Sequence, residues 1–422
     1  MRTLMSHRTL PLALLALMTV AVILVGCPPQ QQQDDAPAID VTPPTDDNTP
    51  TGEAIKIGGI FDTSGAASAL GEPEANTAMM LQEQINAEGG IDGRPVEIVI
   101  RDTKGDEVEG LTVTKELIEK ENVVAVVGPS RSGTTMAIID YIESSEVPLV
   151  SCAAARAITD PVKKWVFNTP QSDEDAVTKI FEYCNAQGIA KVATMTASSG
   201  FGIEGLKQLE RLAPTAGIEI VDMEEFADSD KDMVAQLTKI KNSGAEAMVC
   251  WGIGPAPSLV AKQAHELGFE IPVIMSHGVA NKRFIEGAGD GAEGVILPAG
   301  RLLVADQLPD DDPHKELLLQ YAADYEAKYD KAADTFGGHA WDAVMIVVNA
   351  IEANGAEPAQ IRDGVESTTD FAGIGGVFNF SADSHYGLSP DAFVMITIQD
   401  GEWTLLDAAS ADDAATDEEP TG

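Results

Sequence analysis

The chain has 422 residues, with 68 acidic against 27 basic side chains and a formal net charge of −41. A surface this acidic repels nucleic acid and anionic lipid, so neither is expected as a direct partner. The length suffices for two lobes of ordinary domain size plus flanking segments.

Residues 1–27 read as a targeting segment, with Arg2, His7 and Arg8 before an apolar core from Leu10 to Val25. That core is shorter than the ~20 residues a membrane span needs. Leu24-Val25-Gly26-Cys27 resembles the lipobox of bacterial lipoproteins, which implies acylation at Cys27. Residues 28–53 mix Pro28, Pro29, Gln30 to Gln33, Pro43, Pro44 and several aspartates, a composition unable to bury enough apolar surface to fold. They are expected to form a disordered tether extended by its prolines. An acidic tail over 408–422 is expected to be solvated as well.

The body alternates strand and helix. Strands are predicted over 54–61, 96–101, 123–127 and 147–151, with helices over 74–87, 107–121 and from 133. A second half follows, with helices over 173–186, 201–213, 231–241 and 258–267. Its strands are predicted over 191–195, 218–224, 245–251, 273–275 and 294–297. Two long helices over 314–329 and 336–353 precede a strand over 377–380 and a closing hairpin, 393–399 and 403–406, turned by Asp400-Gly401. The fold class is therefore α/β, two doubly wound Rossmann-like lobes with a ligand cleft between the carboxyl ends of their strands.

The segment that organises this cleft is Val123–Val127 followed by Gly128-Pro129-Ser130-Arg131-Ser132-Gly133-Thr134. An apolar run bounded this way reads as a buried parallel strand, and the loop after it presents hydroxyls where a helix begins. A helix start carries unpaired N–H groups and a positive dipole end, which suit a carboxylate. Ser132 and Thr134 also fit plain helix capping. No nucleophile elbow, phosphate-loop lysine or dinucleotide fingerprint is present, so no enzymatic activity and no cofactor are expected. Cys152, Cys184 and Cys250 have no metal-ligand spacing; no metal is expected, and Cys184 and Cys250 read as small core residues.

Several stretches resemble type I periplasmic binding proteins of the leucine/isoleucine/valine-binding family. They are Ile55-Lys56-Ile57-Gly58 with Thr63-Ser64-Gly65 and Gly71, Ile85-Asn86-Ala87-Glu88-Gly89-Gly90-Ile91-Asp92-Gly93-Arg94, the Gly128–Thr135 loop, Val147–Ser151, Trp165-Val166-Phe167 and Gly278-Val279-Ala280-Asn281. The resemblance implies two lobes joined by three crossings, with 54–171 plus 300–370 in the first and 172–299 plus 371–407 in the second. It places the carboxylate-binding serine at Ser132 and a backbone clamp at Ala153 and Ala154, where Ala155 replaces a frequent hydroxyl. The second-lobe ring falls on Phe201 and the first-lobe aromatic position on Leu70. A further aromatic position falls on Gly254, with Trp251 nearby as the alternative source of bulk.

The sharpest departure is His277, at the position where amino-acid binders of this family carry an acid for the ligand's ammonium. A buried ammonium lacking a countercharge costs several kcal/mol, so an aromatic or aliphatic carboxylic acid competes with a branched-chain-type amino acid. Arg131 and Arg156 are further candidates for an anion grip or for solvent exposure. The expected function is that of an extracytoplasmic substrate-binding lipoprotein of an ABC importer. Its permease would be of the branched-chain amino acid type, with the membrane touched only through the lipid anchor and the chain acting as a monomer. The alternative is a ligand-sensing receptor on the same fold.

Overall fold

The computed structural model describes residues 49–406. The expectations for the targeting segment, Cys27, the tether up to 48 and the acidic tail lie outside the described residues.

The first half runs β1 (Ile55–Phe61), α1 (Ser68–Ala87), β2 (Val96–Asp102), α2 (Glu107–Glu119), β3 (Ala125–Val127), α3 (Ser132–Ser145), β4 (Leu149–Ser151) and β5 (Val166–Asn168). These strands form one parallel sheet in the order β2-β1-β3-β4-β5. β3, β4 and β5 are buried throughout, which is why the first two read as unbroken apolar runs. The three-residue β5 was not expected as a strand. α1 starts at Ser68, earlier than the predicted 74, although Gly71 and Pro73 look like breakers. Gly71 is there because the helix crosses the end of β1: a Cβ at that position would lie 2.4 Å from the Asp62 backbone.

The second half continues with α4 (Asp173–Ala186), β6 (Lys191–Ala197), α5 (Gly200–Ala216), β7 (Glu219–Phe226), α6 (Val234–Lys241), β8 (Ala247–Trp251), α7 (Pro255–Glu266), β9 (Val273–Met275), α8 (Lys282–Ala288) and β10 (Ile296–Gly300). There follow α9 (Lys315–Tyr329), α10 (Thr335–Asn354), α11 (Pro358–Glu366), the small pair β11 (Phe371–Ala372) and β12 (Val377–Phe378), then β13 (Phe393–Gln399) and β14 (Glu402–Leu405). The second sheet has the order β14-β13-β10-β9-β8-β6-β7. It is parallel except for β13 and β14, which close it as an antiparallel hairpin. Asp400 and Gly401 both take positive φ, 53° and 75°, the conformation a two-residue hairpin turn requires.

The long helix α10 returns to the first sheet. Its Ala340, Val344, Val347 and Ile351 share a core with Ile57, Phe61 and Phe167. Phe378 and Phe380 belong to that same core, and His385 stacks on Phe167 at 3.9 Å. The boundary expected at 370 therefore falls later, and the chain re-enters the second sheet at β13.

Candidate functional site

β3 delivers the chain to the head of α3 through one tight approach. Gly128 has φ +86°, and a Cβ there would lie 2.1 Å from the Ile60 carbonyl oxygen, so only glycine fits. Arg131 occupies the N-cap of α3 without a side-chain capping bond. The first amides of the helix therefore keep their donor capacity and positive end toward the cleft. Ser132 faces a cavity of about 30 Å³, and its hydroxyl hydrogen-bonds to nothing among the described residues.

Behind Ser132 lies a buried acid relay. Ser130 accepts a hydrogen bond from the Asp62 N–H at 3.1 Å and donates to Glu74. Burial pushes the Glu74 carboxyl well above its ordinary range, which keeps it neutral. Burial also raises Asp62 to about 6, against the pull of the Arg131 guanidinium.

The cavity sits where the carboxyl ends of the two sheets face each other. The first half contributes Leu70 from α1, Ser130, Arg131 and Ser132, then Cys152, Ala153 and Ala154 after β4, Pro170 after β5, and Phe336 and His339 from α10. The second contributes Phe201 from α5, Ile253 after β8, and His277 with Gly278 after β9. Of the residues singled out in the sequence, Leu70, Ser132, Ala153, Ala154, Phe201 and His277 thus converge here.

Three do not. Thr134 is buried against α2, with its Cγ2 in the space that the missing Gly110 side chain leaves free. Ala155 belongs to the core beneath β4 and β5. Trp251 stands behind the cavity wall under Gly205, its ring 5.6 Å from Phe201 and 5.7 Å from His277. The bulk expected there comes from Ile253. Gly254 borders a separate groove near Ala66 and Ser68.

His277 is enclosed by rings, with Phe201 and Phe393 each 5.4 Å from its centroid. Neither ring nitrogen has a protein partner. Burial, reinforced by the neighbouring His339, lowers its pKa to about 3, so the ring is neutral. His339 is depressed to about 3 by burial too, and its Nδ1 has no partner. His339 was missed because a histidine on an apolar helix face reads as core. The available signal was its rarity, since the chain has only 6 histidines.

Arg131 lines the cavity, but its guanidinium is turned to protein partners rather than to solvent. Its Nη2 meets Asp228, after β7, at 2.9 Å, a bond between the two halves. Arg283 on α8 similarly reaches Glu72 and Ser68 on α1, the latter at 3.3 Å. Arg156 pairs with Asp160 and Glu174. Where α3 and α5 meet, a Cβ on Gly200 would lie 2.8 Å from Gly133 Cα. These contacts hold the cleft shut. A larger groove of about 540 Å³ is lined by Glu72, Arg283 and Lys331, but these charges already pair with one another.

Residues 54–402 match the family described as Periplasmic binding protein. The chain belongs to this family. The Leucine-, isoleucine-, valine-, threonine-, and alanine-binding protein of Pseudomonas aeruginosa is 25% identical over 320 residues, 75% of this chain and 83% of that protein. An extracellular ligand-binding receptor from Rhodopseudomonas palustris HaA2 superposes with a TM-score of 0.79 at 29% identity, covering 84% of this chain and all of that one (100%). The branched-chain amino acid transporter substrate binding protein LivJ of Streptococcus pneumoniae, solved with isoleucine, gives 0.74 at 28% identity, covering 83% and 98%. Periplasmic binding proteins bind substrates outside the cytoplasm and are not enzymes. Cys152, Cys184 and Cys250 are buried and, among the described residues, form no disulfide. Among the described residues no cluster of three His, Cys, Asp or Glu is placed to hold a metal, and no helix is long and apolar enough to cross a membrane.

Proposed function

We propose that this periplasmic binding protein is the lipid-anchored receptor of an ABC importer and traps a small carboxylate-bearing ligand by closing its cleft. Ligand contacts made only in the closed form shift the population toward it, and a permease then recognises that form. The carrying observation is the uncapped head of α3, with the unbonded Ser132 hydroxyl, facing Phe201 and His277 across the cavity. The carboxylate sits on Ser132 and the first amides, and the apolar remainder lies against Leu70, Phe201, Ile253 and Phe336. The jaws then stand further apart than around the present cavity of about 30 Å³, which has room for only about two waters.

Relatives include proteins named for leucine, isoleucine and valine, and a branched-chain-type amino acid shares the carboxylate. Among the described residues, however, no Asp or Glu lines the cavity. An ammonium there would be left without a countercharge, at a cost of several kcal/mol. This favours an aromatic or aliphatic carboxylic acid.

A thermal-shift panel tests the reading. Benzoate and isovalerate are expected to raise Tm, since ligand at 100 times Kd adds about 2.7 kcal/mol, while benzamide leaves it unchanged. A response confined to leucine, isoleucine and valine would overturn the ligand class.

A further inference from the structure

We propose that His277 and His339 form a two-imidazole clamp that takes up at most one proton as the cleft closes on the ligand's carboxylate. This rests on the reading that the ligand is a carboxylate held at the head of α3.

The two rings come from opposite halves, His277 from the turn His277–Val279 after β9 and His339 from α10, and both border the Ser132 cavity. They are only 7% and 5% exposed. His277 Nδ1 and Nε2 and His339 Nδ1 have no partner in the protein. Buried polar atoms are almost always hydrogen-bonded, so three orphans around one cavity mark a place where a ligand completes the bonding. A neutral imidazole offers one donor and one acceptor nitrogen, and the acceptor lone pair repels a carboxylate oxygen. Protonation turns both nitrogens into donors and supplies the missing countercharge.

The one cation lining the cavity, Arg131, has its guanidinium taken up by Asp228 at 2.9 Å and by the Gly105 carbonyl at 3.2 Å, so its charge is already neutralised. The rings are close enough to disfavour each other's charge, so one proton is shared and two are not taken up. Without an anion, burial keeps both rings neutral.

The other titratable and charged groups nearby include Asp334 and Asp342 on α10, Glu74 on α1, Asp62 after β1, Arg131 at the head of α3, Cys152 after β4 and Glu204 on α5. Burial holds Asp342 well above its ordinary range, and its carboxylate oxygens are taken by the Ile374 and Gly375 amides. Glu204 is paired with Lys207. Burial keeps Glu74 and Cys152 protonated. β8 and β13 bring the Trp251 and Phe393 rings against His277. Asp62 and Asp334 titrate near 6 and 7, so the test must separate them from the histidines.

The experiment is calorimetric titration of the full chain with benzoate at pH 5.5, 6.5 and 7.5, in buffers of high and low ionisation enthalpy. The expected result is fractional proton uptake, largest at pH 5.5 and vanishing by pH 7.5, because a carboxylate raises a neighbouring imidazole from about 3 by only about 1–3 pH units. Because the bound form holds the extra proton, affinity then rises as pH falls, by less than about tenfold per unit. Replacing either ring with an untitratable amide, His277→Gln or His339→Gln, is expected to remove most of the uptake and flatten the slope. Benzoate binding with a buffer-independent enthalpy at pH 5.5 and flat affinity in the wild-type chain would overturn the clamp while leaving the carboxylate reading intact. Uptake that persists in both variants would assign the proton to Asp62 or Asp334 and overturn it equally. Binding of leucine but of neither benzoate nor isovalerate would remove the carboxylate-only ligand class and the clamp with it.

Discussion

His339 and Asp342 stand one turn apart on α10, both buried and both polar, yet their surroundings are opposite. Asp342 Oδ1 accepts the Ile374 N–H at 2.6 Å and Oδ2 accepts the Gly375 N–H at 2.7 Å. Glycine at 373 makes room for it, since a Cβ there would lie 2.3 Å from Oδ1. His339 Nδ1 meets no protein group. One turn of a single helix thus anchors the 373–375 loop to the first sheet, and the turn before it addresses the cleft. On α10, saturated hydrogen bonding marks Asp342 as architecture, while missing bonds beside a cavity leave His339 open to a ligand.

This contrast can be broken most directly at Asp342. Asp342→Ala strands two buried amides and is expected to cost about 3–5 kcal/mol of stability, measured by urea unfolding, while benzoate affinity of the folded fraction stays unchanged. A loss under about 1 kcal/mol would erase the distinction drawn on α10.

The pH dependence of ligand-free stability probes the other side. Neutral His277 and His339 have pKa values near 3 in the fold, below the usual 6.5. Their contribution is complete above pH 6.5 and is lost as pH falls from 6.5 toward 3, by up to about 1.4 kcal/mol per unit for each ring. His339→Gln should therefore flatten the decline of Tm below pH 6.5. Asp173 and Asp334, both raised to about 7 by burial, act in the opposite sense. Their contribution is present below about pH 4 and is lost as pH rises through 7. They are common to both proteins, so the difference between the two Tm curves isolates the ring. Identical curves would mean that His339 is not buried neutral.

Smaller effects sharpen the cleft side. Ser132→Ala should weaken carboxylate binding by about 1–3 kcal/mol with stability changed by under about 0.5 kcal/mol, read by calorimetry and melting. Unchanged affinity would mean that the hydroxyl touches no ligand. Asp228→Asn removes a largely buried ion pair between the two halves and should lower affinity by about 0.5–1 kcal/mol, through faster dissociation in stopped-flow measurements.

The strand–helix alternation was legible because β3 and β4 are apolar on both faces and because Gly89-Gly90 and Asp400-Gly401 punctuate the chain where positive φ is needed. β5 was not, being three residues long and ending in Asn168. Pro73 hid the start of α1, where contact with the Asp62 backbone overrides local propensity. The cleft was half legible. Ser132 follows from loop position after a strand, while Phe201 and His277 come only from the family resemblance. His339 and Phe336 lie deep in a helix whose pattern fits core packing, and only the return of that helix to the first sheet brings them to the cavity. Trp251 and Thr134 failed for the reverse reason: Gly205 and Gly110 give each a neighbouring helix to pack against, a relation invisible along the chain.

The meeting of Gly133 and Gly200 has a further consequence. Backbone touches backbone there, so a single methyl group at position 200 would act as a doorstop between the jaws. An alanine in that place would leave the individual halves folded but hold them ajar, giving a receptor that samples its solute without ever presenting the shut face to a transporter.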